Sequence, residues 1–209
     1  MTAVNEEMRV AAQAALSLIE PGMRVGLGTG RTVAWLLREL AERPIASLRC
    51  VATSPDTERA ATALGIAVEP FDELDHLDIA IDGADQVAKD HWAIKGGHGA
   101  QLREKIVATA ADRFVIIVSS DKLVDVLHPP IPLELEPFGL QATIRRLGHV
   151  TLRAGVPPTP DGGALADYYG PIADPAELAV RFDQAPGVAG HGLFAPALID
   201  DVIVGTRDP

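Results

Sequence analysis

Five short apolar runs, each separated from the next by a break and most by a helix-spaced stretch, constrain this chain more than any other feature. They cover residues 23–27, 48–52, 66–68, 77–81 and 113–118. Between and before them, residues 5–20, 33–41, 55–64 and 99–110 carry apolar side chains at helical spacing. Asn5 is positioned to cap the first helix, and Pro21-Gly22 to stop it. Strands this short alternating with helices predict an α/β fold, a doubly wound parallel sheet, because a parallel connection has to cross back over the sheet. Such folds bind ligands at the carboxyl ends of their strands. Residues 28–32, 53–57, 82–85 and 119–122 all follow an apolar run, so the pattern places all four segments on one rim.

The pattern changes after Lys122. Pro129, Pro130, Pro132 and Pro137 punctuate the chain and mark a domain boundary. Helical spacing over 139–148 and 174–183 alternates with short strands at 149–153 and 163–168, the second helix opening on Asp174-Pro175. The expected organisation is a large α/β domain over 1–128 and 199–209, with a smaller α+β lid domain of ferredoxin-like type over 129–198. The run at 202–204 is positioned to rejoin the main sheet.

Composition narrows the classes. In 209 residues no apolar run approaches the ~20 needed to cross a bilayer, which predicts no membrane association. The acidic, polar start MTAVNEEMRV does not read as a signal peptide. Cys50 is the only cysteine, so an intrachain disulfide and a multi-cysteine metal site are excluded, and a cytoplasmic location is expected. A net charge of −11, from 18 basic and 29 acidic side chains, argues against a nucleic-acid partner. It does not exclude a small anion, since local donors override a global field.

The candidate chemistry concentrates in residues 78–105, DIAIDGADQVAKDHWAIKGGHGAQLREK. Asp82 and Asp85 flank Gly83-Ala84 just past a strand. Lys95-Gly96-Gly97 leads into the helix that carries Glu104. Upstream, Gly28-Thr29-Gly30-Arg31-Thr32 joins a strand to a helix start, an arrangement that presents backbone N–H groups to phosphate or another anion. A tight turn without ligand fits the same residues. A dinucleotide fingerprint beginning at Gly26 would need its third glycine where Arg31 stands, and a P-loop would need Gly-Lys-Ser/Thr. Ser54, Ser119 and Ser120 have no His/Asp arrangement for nucleophilic hydrolysis, and His98 has no metal-ligand partner at the required spacing.

Seven segments in order, GLGTGRT (26–32), TSPDTERAATALGI (53–66), DIAIDGADQV (78–87), IKGGHGAQLREKIVA (94–108), DKLVDVL (121–127), PLELEPF (132–138) and PGVAGHGLF (186–194), resemble the ribose-5-phosphate isomerase A family. The resemblance implies interconversion of D-ribose 5-phosphate and D-ribulose 5-phosphate without metal or organic cofactor, by a homodimer or homotetramer. It places the general base on Glu104, supporting acids on Asp82 and Asp85, and a charge donor on Lys95. It places substrate contacts on Gly28, Thr29, Gly30, Arg31, Thr32, Gly83, Ala84, Gly96, Gly97 and Lys122. Five places depart from the family pattern. Arg31 replaces a serine, Gln86 a glutamate and His98 a glycine; Thr159-Pro160-Asp161-Gly162-Gly163 replaces TDNGN; and Met8-Arg9 stands where a lysine is common. Two alternatives stay open beside the ribose 5-phosphate reading: an isomerase of another sugar phosphate, and a non-catalytic sugar-phosphate sensor.

Overall fold

The computed structural model describes residues 2–206. In chain order its first elements are α1 (Ala3–Leu16), β1 (Arg24–Leu27), α2 (Arg31–Glu42), β2 (Arg49–Ala52), α3 (Pro55–Ala63) and β3 (Ile79–Asp82). Next come β4 (Gln86–Ala88), β5 (Ala93–Ile94), α4 (Gln101–Thr109), β6 (Phe114–Ser119), β7 (Leu123–Val124) and β8 (Ile131–Leu135). The chain continues through α5 (Leu140–Leu147), β9 (Val150–Leu152), β10 (Ala164–Tyr168), α6 (Pro175–Asp183), β11 (Val188–His191), β12 (Leu193–Phe194) and β13 (Asp201–Gly205). They form two compact units. Of the described residues, the first holds 2–84, Arg103–Leu123 and 197–206; the second holds Asp85–Leu102 and Val124–Pro196.

The first unit is built on a parallel sheet of order β13-β6-β3-β1-β2. Alternate side chains of its central strands, Val25, Leu27, Ile79, Ile81, Val115 and Ile117, share a buried cluster with Ala11, Ala12 and Ala15 of α1 and Leu36, Leu37 and Leu40 of α2. Each such side chain contributes roughly 1.5–3 kcal/mol by leaving water. The opposite face takes α4: a Cβ on Gly26 would lie 2.5 Å from Val107 Cγ1 and 3.1 Å from Ala80 Cβ, so the missing side chain is what lets the helix approach. Burial on both faces is why these strands read as unbroken apolar runs. The sheet is thus parallel and doubly wound, as the alternation implies, and residues 201–205 do rejoin it, alongside β6.

Three local expectations are revised. Residues 66–68 form no strand; only Val68 bridges to Cys50, because Pro70 cannot continue the ladder. The cap of α1 is Thr2, whose hydroxyl accepts from Asn5 N at 3.4 Å, so Asn5 lies inside the helix. That helix also ends at Leu16, with Ser17 as its C-cap, before Pro21 is reached.

In the second unit β8-α5-β9-β10-α6-β11 forms an antiparallel sheet of order β11-β8-β10-β9, the ferredoxin-like arrangement. Ile131, Leu133 and Leu135 on one face of β8 pack with Ala166, Tyr168, Leu147, Leu178 and Phe182. A second small sheet has the order β12-β5-β4-β7. It draws residues 85–102 into this unit rather than into 1–128, since β5 pairs with β4 on one side and β12 on the other. Pro132 lies inside β8, a central strand, so the proline cluster punctuates the sequence without breaking the sheet.

Candidate active site

In the first unit, β1 lies between β2 and β3, and the chain leaves it towards β2 while β3 flanks the other side. This is the switch point at which parallel sheets open a crevice at their carboxyl ends. The residues after β1 and the last residue of β3 meet there. Gly28 N donates to Ile81 O at 3.0 Å, and Oδ1 of Asp82 accepts from Thr29 N at 2.9 Å and from Gly83 N at 2.7 Å. Asp82 is only 3% exposed, and a Cβ on Gly28 would lie 1.9 Å from its Cγ, so only glycine admits the carboxylate. Gly30, with φ 122°, then starts α2, where the left-handed backbone disfavours any side chain. The first N–H groups of that helix have no intrahelical acceptor and point at the turn's mouth. Arg31 is the exposed first residue of α2, and Thr32, behind it, is buried.

A group of hydroxyls closes the other side of the turn. Thr29 Oγ1 lies 2.9 Å from Thr53 Oγ1 and 2.8 Å from Ser54 Oγ, while Thr57 Oγ1 donates to Gly28 O at 2.7 Å. Ser54 also caps α3 through Thr57 N. The sequence marked this segment as a capped helix on the rim; that its hydroxyls buttress the glycine turn has no sequence signal beyond their spacing.

Glu104 occupies the first turn of α4 and is 3% exposed. Because α4 crosses back from β3 to the parallel β6, its first turn lies at the strands' carboxyl ends, and Val107 one turn on reaches Gly26. Lys122 is half-buried in the short turn Ser120–Lys122 after β6. The side chain of Glu7 in α1 fixes that turn, its Oε2 accepting from Ser120 N at 2.9 Å and Ser120 Oγ at 2.7 Å. The first unit therefore sets Gly28, Thr29, Gly30, Thr32, Asp82, Gly83, Ala84, Glu104 and Lys122 at one edge of its sheet.

The second unit holds Asp85, Lys95, Gly96 and Gly97. Asp85 N donates to Ile94 O at 2.8 Å, and Asp85 Oδ2 accepts from Gly97 N at 2.7 Å, so the acid secures the glycine turn. Lys95 is 2% exposed, rare for an ammonium group. Its Nζ lies 5.3 Å from the centre of the Phe194 ring, over which a cation is attracted. Its backbone is held by Gly192, whose carbonyl accepts from Lys95 N at 2.9 Å and whose Cβ, if present, would lie 2.2 Å from Lys95 O. That contact gives the PGVAGHGLF segment its place.

Three departures from the expected pattern acquire structural explanations. The Gln86 amide donates to His128 O at 2.7 Å and accepts from His128 N at 3.0 Å, a two-way pairing that a carboxylate cannot make. Thr159 Oγ1 donates to the buried Glu134 at 2.5 Å and accepts from Gly163 N at 2.9 Å, so the 159–163 turn closes on itself without side-chain amides. His98 is exposed between Gly97 and Gly99. One further group, His76, Asp78 and Asp112, brings ligand atoms within 4.8 Å of one another, but it lies at the amino ends of β3 and β6, the opposite edge from the glycine turn. Arg24 covers Asp78 there, and its hydrogen bonds hold that carboxyl below the usual range.

The family model of ribose 5-phosphate isomerase A (phosphoriboisomerase A) matches residues 49–209. The chain belongs to the ribose 5-phosphate isomerase A family. A ribose-5-phosphate isomerase A of Gloeobacter violaceus is 50% identical over 199 residues, covering 89% of this chain and 86% of the relative. Its counterpart in Gluconobacter oxydans is 41% identical over 223 residues, covering 99% and 96%. Among solved structures, a D-ribose-5-phosphate isomerase in complex with phospho-erythronic acid superimposes with a TM-score of 0.93 at 36% identity, covering 99% of this chain and 96% of that one. The ribose 5-phosphate isomerase A of Methanocaldococcus jannaschii gives 0.89 at 34% identity, covering 96% and 94%.

Proposed function

We propose that this chain interconverts D-ribose 5-phosphate and D-ribulose 5-phosphate, with Glu104 as the proton-transferring base. In the aldose-to-ketose direction Glu104 takes the proton from C2 and returns it to C1. O1 gains a proton and O2 loses one as the cis-enediolate passes to ketose. A proton next to a carbonyl is weakly acidic, so the base needs fixed donors against the charge that builds on oxygen. Lys95 supplies an ammonium group for that charge, while Asp82 and Asp85 serve ring opening and proton traffic on O1 and O2. The turn Gly28-Thr29-Gly30 with Arg31, Thr32 and Lys122 receives the phosphate, and Gly83, Ala84, Gly96 and Gly97 line the sugar.

The observation that carries this reading is a carboxylate in water-poor surroundings at the first turn of α4, on the same sheet edge as an anion-suited glycine turn. The relative solved with phospho-erythronic acid adds support: that ligand joins a phosphate to a carboxylate, whose two coplanar oxygens resemble those of an enediolate. We place the protein in the cytosol as a homodimer or homotetramer. A single buried free thiol supports the first, and the exposed apolar side chains of Phe138 (90%) and Val126 (73%) support the second. Light scattering on the purified chain distinguishes dimer and tetramer from monomer.

The test of function is a substrate panel. kcat/KM for ribose 5-phosphate should exceed that for other pentose and hexose phosphates by at least about tenfold, unchanged in EDTA. A preference for another phosphosugar would move the substrate assignment and leave the chemistry. Ligand-induced thermal stabilisation without turnover on any of them would make the chain a sensor.

A further inference from the structure

The turn that follows Lys95 reads Gly96-Gly97-His98-Gly99, and Gly96 and Gly99 sit at φ 97° and 80°. Three glycines in four residues leave such a turn with a large conformational entropy, so holding one shape requires partners for its backbone. The second unit supplies them from the hairpin of β9 and β10. Arg153, the residue after β9, donates from Nη1 to Gly97 O at 2.9 Å and from Nη2 to Gly96 O at 3.3 Å. The guanidinium is itself fixed by Asp167 of β10, through Nε to Oδ2 at 2.9 Å and Nη2 to Oδ1 at 2.7 Å. Both side chains are largely shielded, at 16% and 14% exposure. Two residues before Asp167 on the same face of β10, Leu165 packs against Gly99, where a Cβ would lie 2.4 Å from its Cδ1.

The geometry points to Arg153 as a positioning residue for the proposed isomerisation, held by Asp167 and acting through the backbone of residues 96–98. A peptide unit is planar and trans, so its C=O and N–H point in opposite directions. With Gly96 O held by Gly99 N at 2.9 Å and by Arg153 at 3.3 Å, Gly97 N–H is turned to Asp85, to which it donates at 2.7 Å. With Gly97 O fixed on the same guanidinium, the N–H of His98 is turned the same way. On the face away from Arg153 the clamp thus orders the acid Asp85, through the Gly97 N–H it accepts, and beside it the backbone donor of His98. Donors ordered in advance stabilise developing oxygen charge without reorganising at the moment of reaction. This also makes the side chain of residue 98 incidental, since its N–H is what the turn orients.

The inference rests on the isomerase reading for its kinetic arm and on geometry alone for its structural arm. In the full chain, Arg153→Ala should speed hydrogen exchange at the amides of 97–99 by at least about tenfold while other amides of the second unit keep their protection. It should lower kcat for ribose 5-phosphate by about 10- to 100-fold with KM within about threefold, as expected when reacting groups lose alignment. Arg153→Lys should recover less than about threefold of the lost kcat, because a point charge cannot bridge two carbonyls and a carboxylate. Asp167→Asn, which keeps the shape and loosens the guanidinium, should move both readouts in the same direction by a smaller factor, and it serves if the alanine variant does not fold. Wild-type exchange at 97–99 in Arg153→Ala, or full rescue by lysine, overturns the assignment. A wild type that turns over no ribose 5-phosphate refutes the functional proposal instead, and the exchange measurement still decides the clamp.

Discussion

Replacing Gly28 by alanine tests how the turn after β1 is built. An added Cβ would lie 1.9 Å from Asp82 Cγ and Oδ1 and 2.5 Å from its Cβ, closer than any real contact. The neighbour that has to yield is a buried carboxylate whose Oδ1 holds Thr29 N and Gly83 N. Hydrogen bonds to a charged group contribute roughly 1.5–3 kcal/mol each, and relaxation recovers part of that, so the expected cost is about 3 kcal/mol. For a chain of this size that lowers Tm by about 6–12 °C. Gly83→Ala is the matched control, in the same site, because its Cβ would meet nothing closer than 3.9 Å. It should cost less than about 0.5 kcal/mol. Thermal melts and urea titrations of both variants give the comparison. Equal stability of the two variants would refute the claim that the Asp82 carboxylate, and not a general need for glycine, determines residue 28.

Gln101 is fully buried, and neither its Nε2 nor its Oε1 finds a partner, so Gln101→Leu should raise stability by about 1–2 kcal/mol, read as a higher urea midpoint. Asp78, held below the usual carboxylate range by hydrogen bonds from the Arg24 side chain and backbone, contributes stability that is fully present above its unfolded pKa near ~3.9 and is lost as pH falls through its lower folded value. Asp78→Asn should therefore lower stability at pH 7 and flatten its decline below about pH 4, measured by melts at stepped pH.

The alternation of strands and helices was legible because the central strands β1, β3 and β6 of the first unit are buried on both faces and so announce themselves as apolar runs. The rim carrying residues 28–32 and 82–85 followed from that alternation. What lay beyond reach depends on partners distant in sequence. β8 contains Pro132 in a central position, where composition argues against a strand. β4 and β5 span only Gln86–Ala88 and Ala93–Ile94, too short for a period; they pair with each other, and β5 pairs with β12 a hundred residues later, which is why 85–102 joins the second unit. Arg153 follows a strand in a polar segment and reads as a solvated cation; only the fold brings Asp167 and two carbonyls to it. Gln86 looked like a lost acid, and its role emerges only when His128 is alongside.

The central claim is that Glu104 moves the proton between C1 and C2. The most direct measurement is solvent exchange of the C2 proton of ribose 5-phosphate, followed by NMR in deuterated water, for the wild type and Glu104→Gln, with circular dichroism confirming that both are folded. The account predicts exchange and ribulose 5-phosphate formation by the wild type, and a loss of at least about 1,000-fold in the variant, whose amide cannot accept the proton. A folded Glu104→Gln that exchanges and isomerises at the wild-type rate would contradict it.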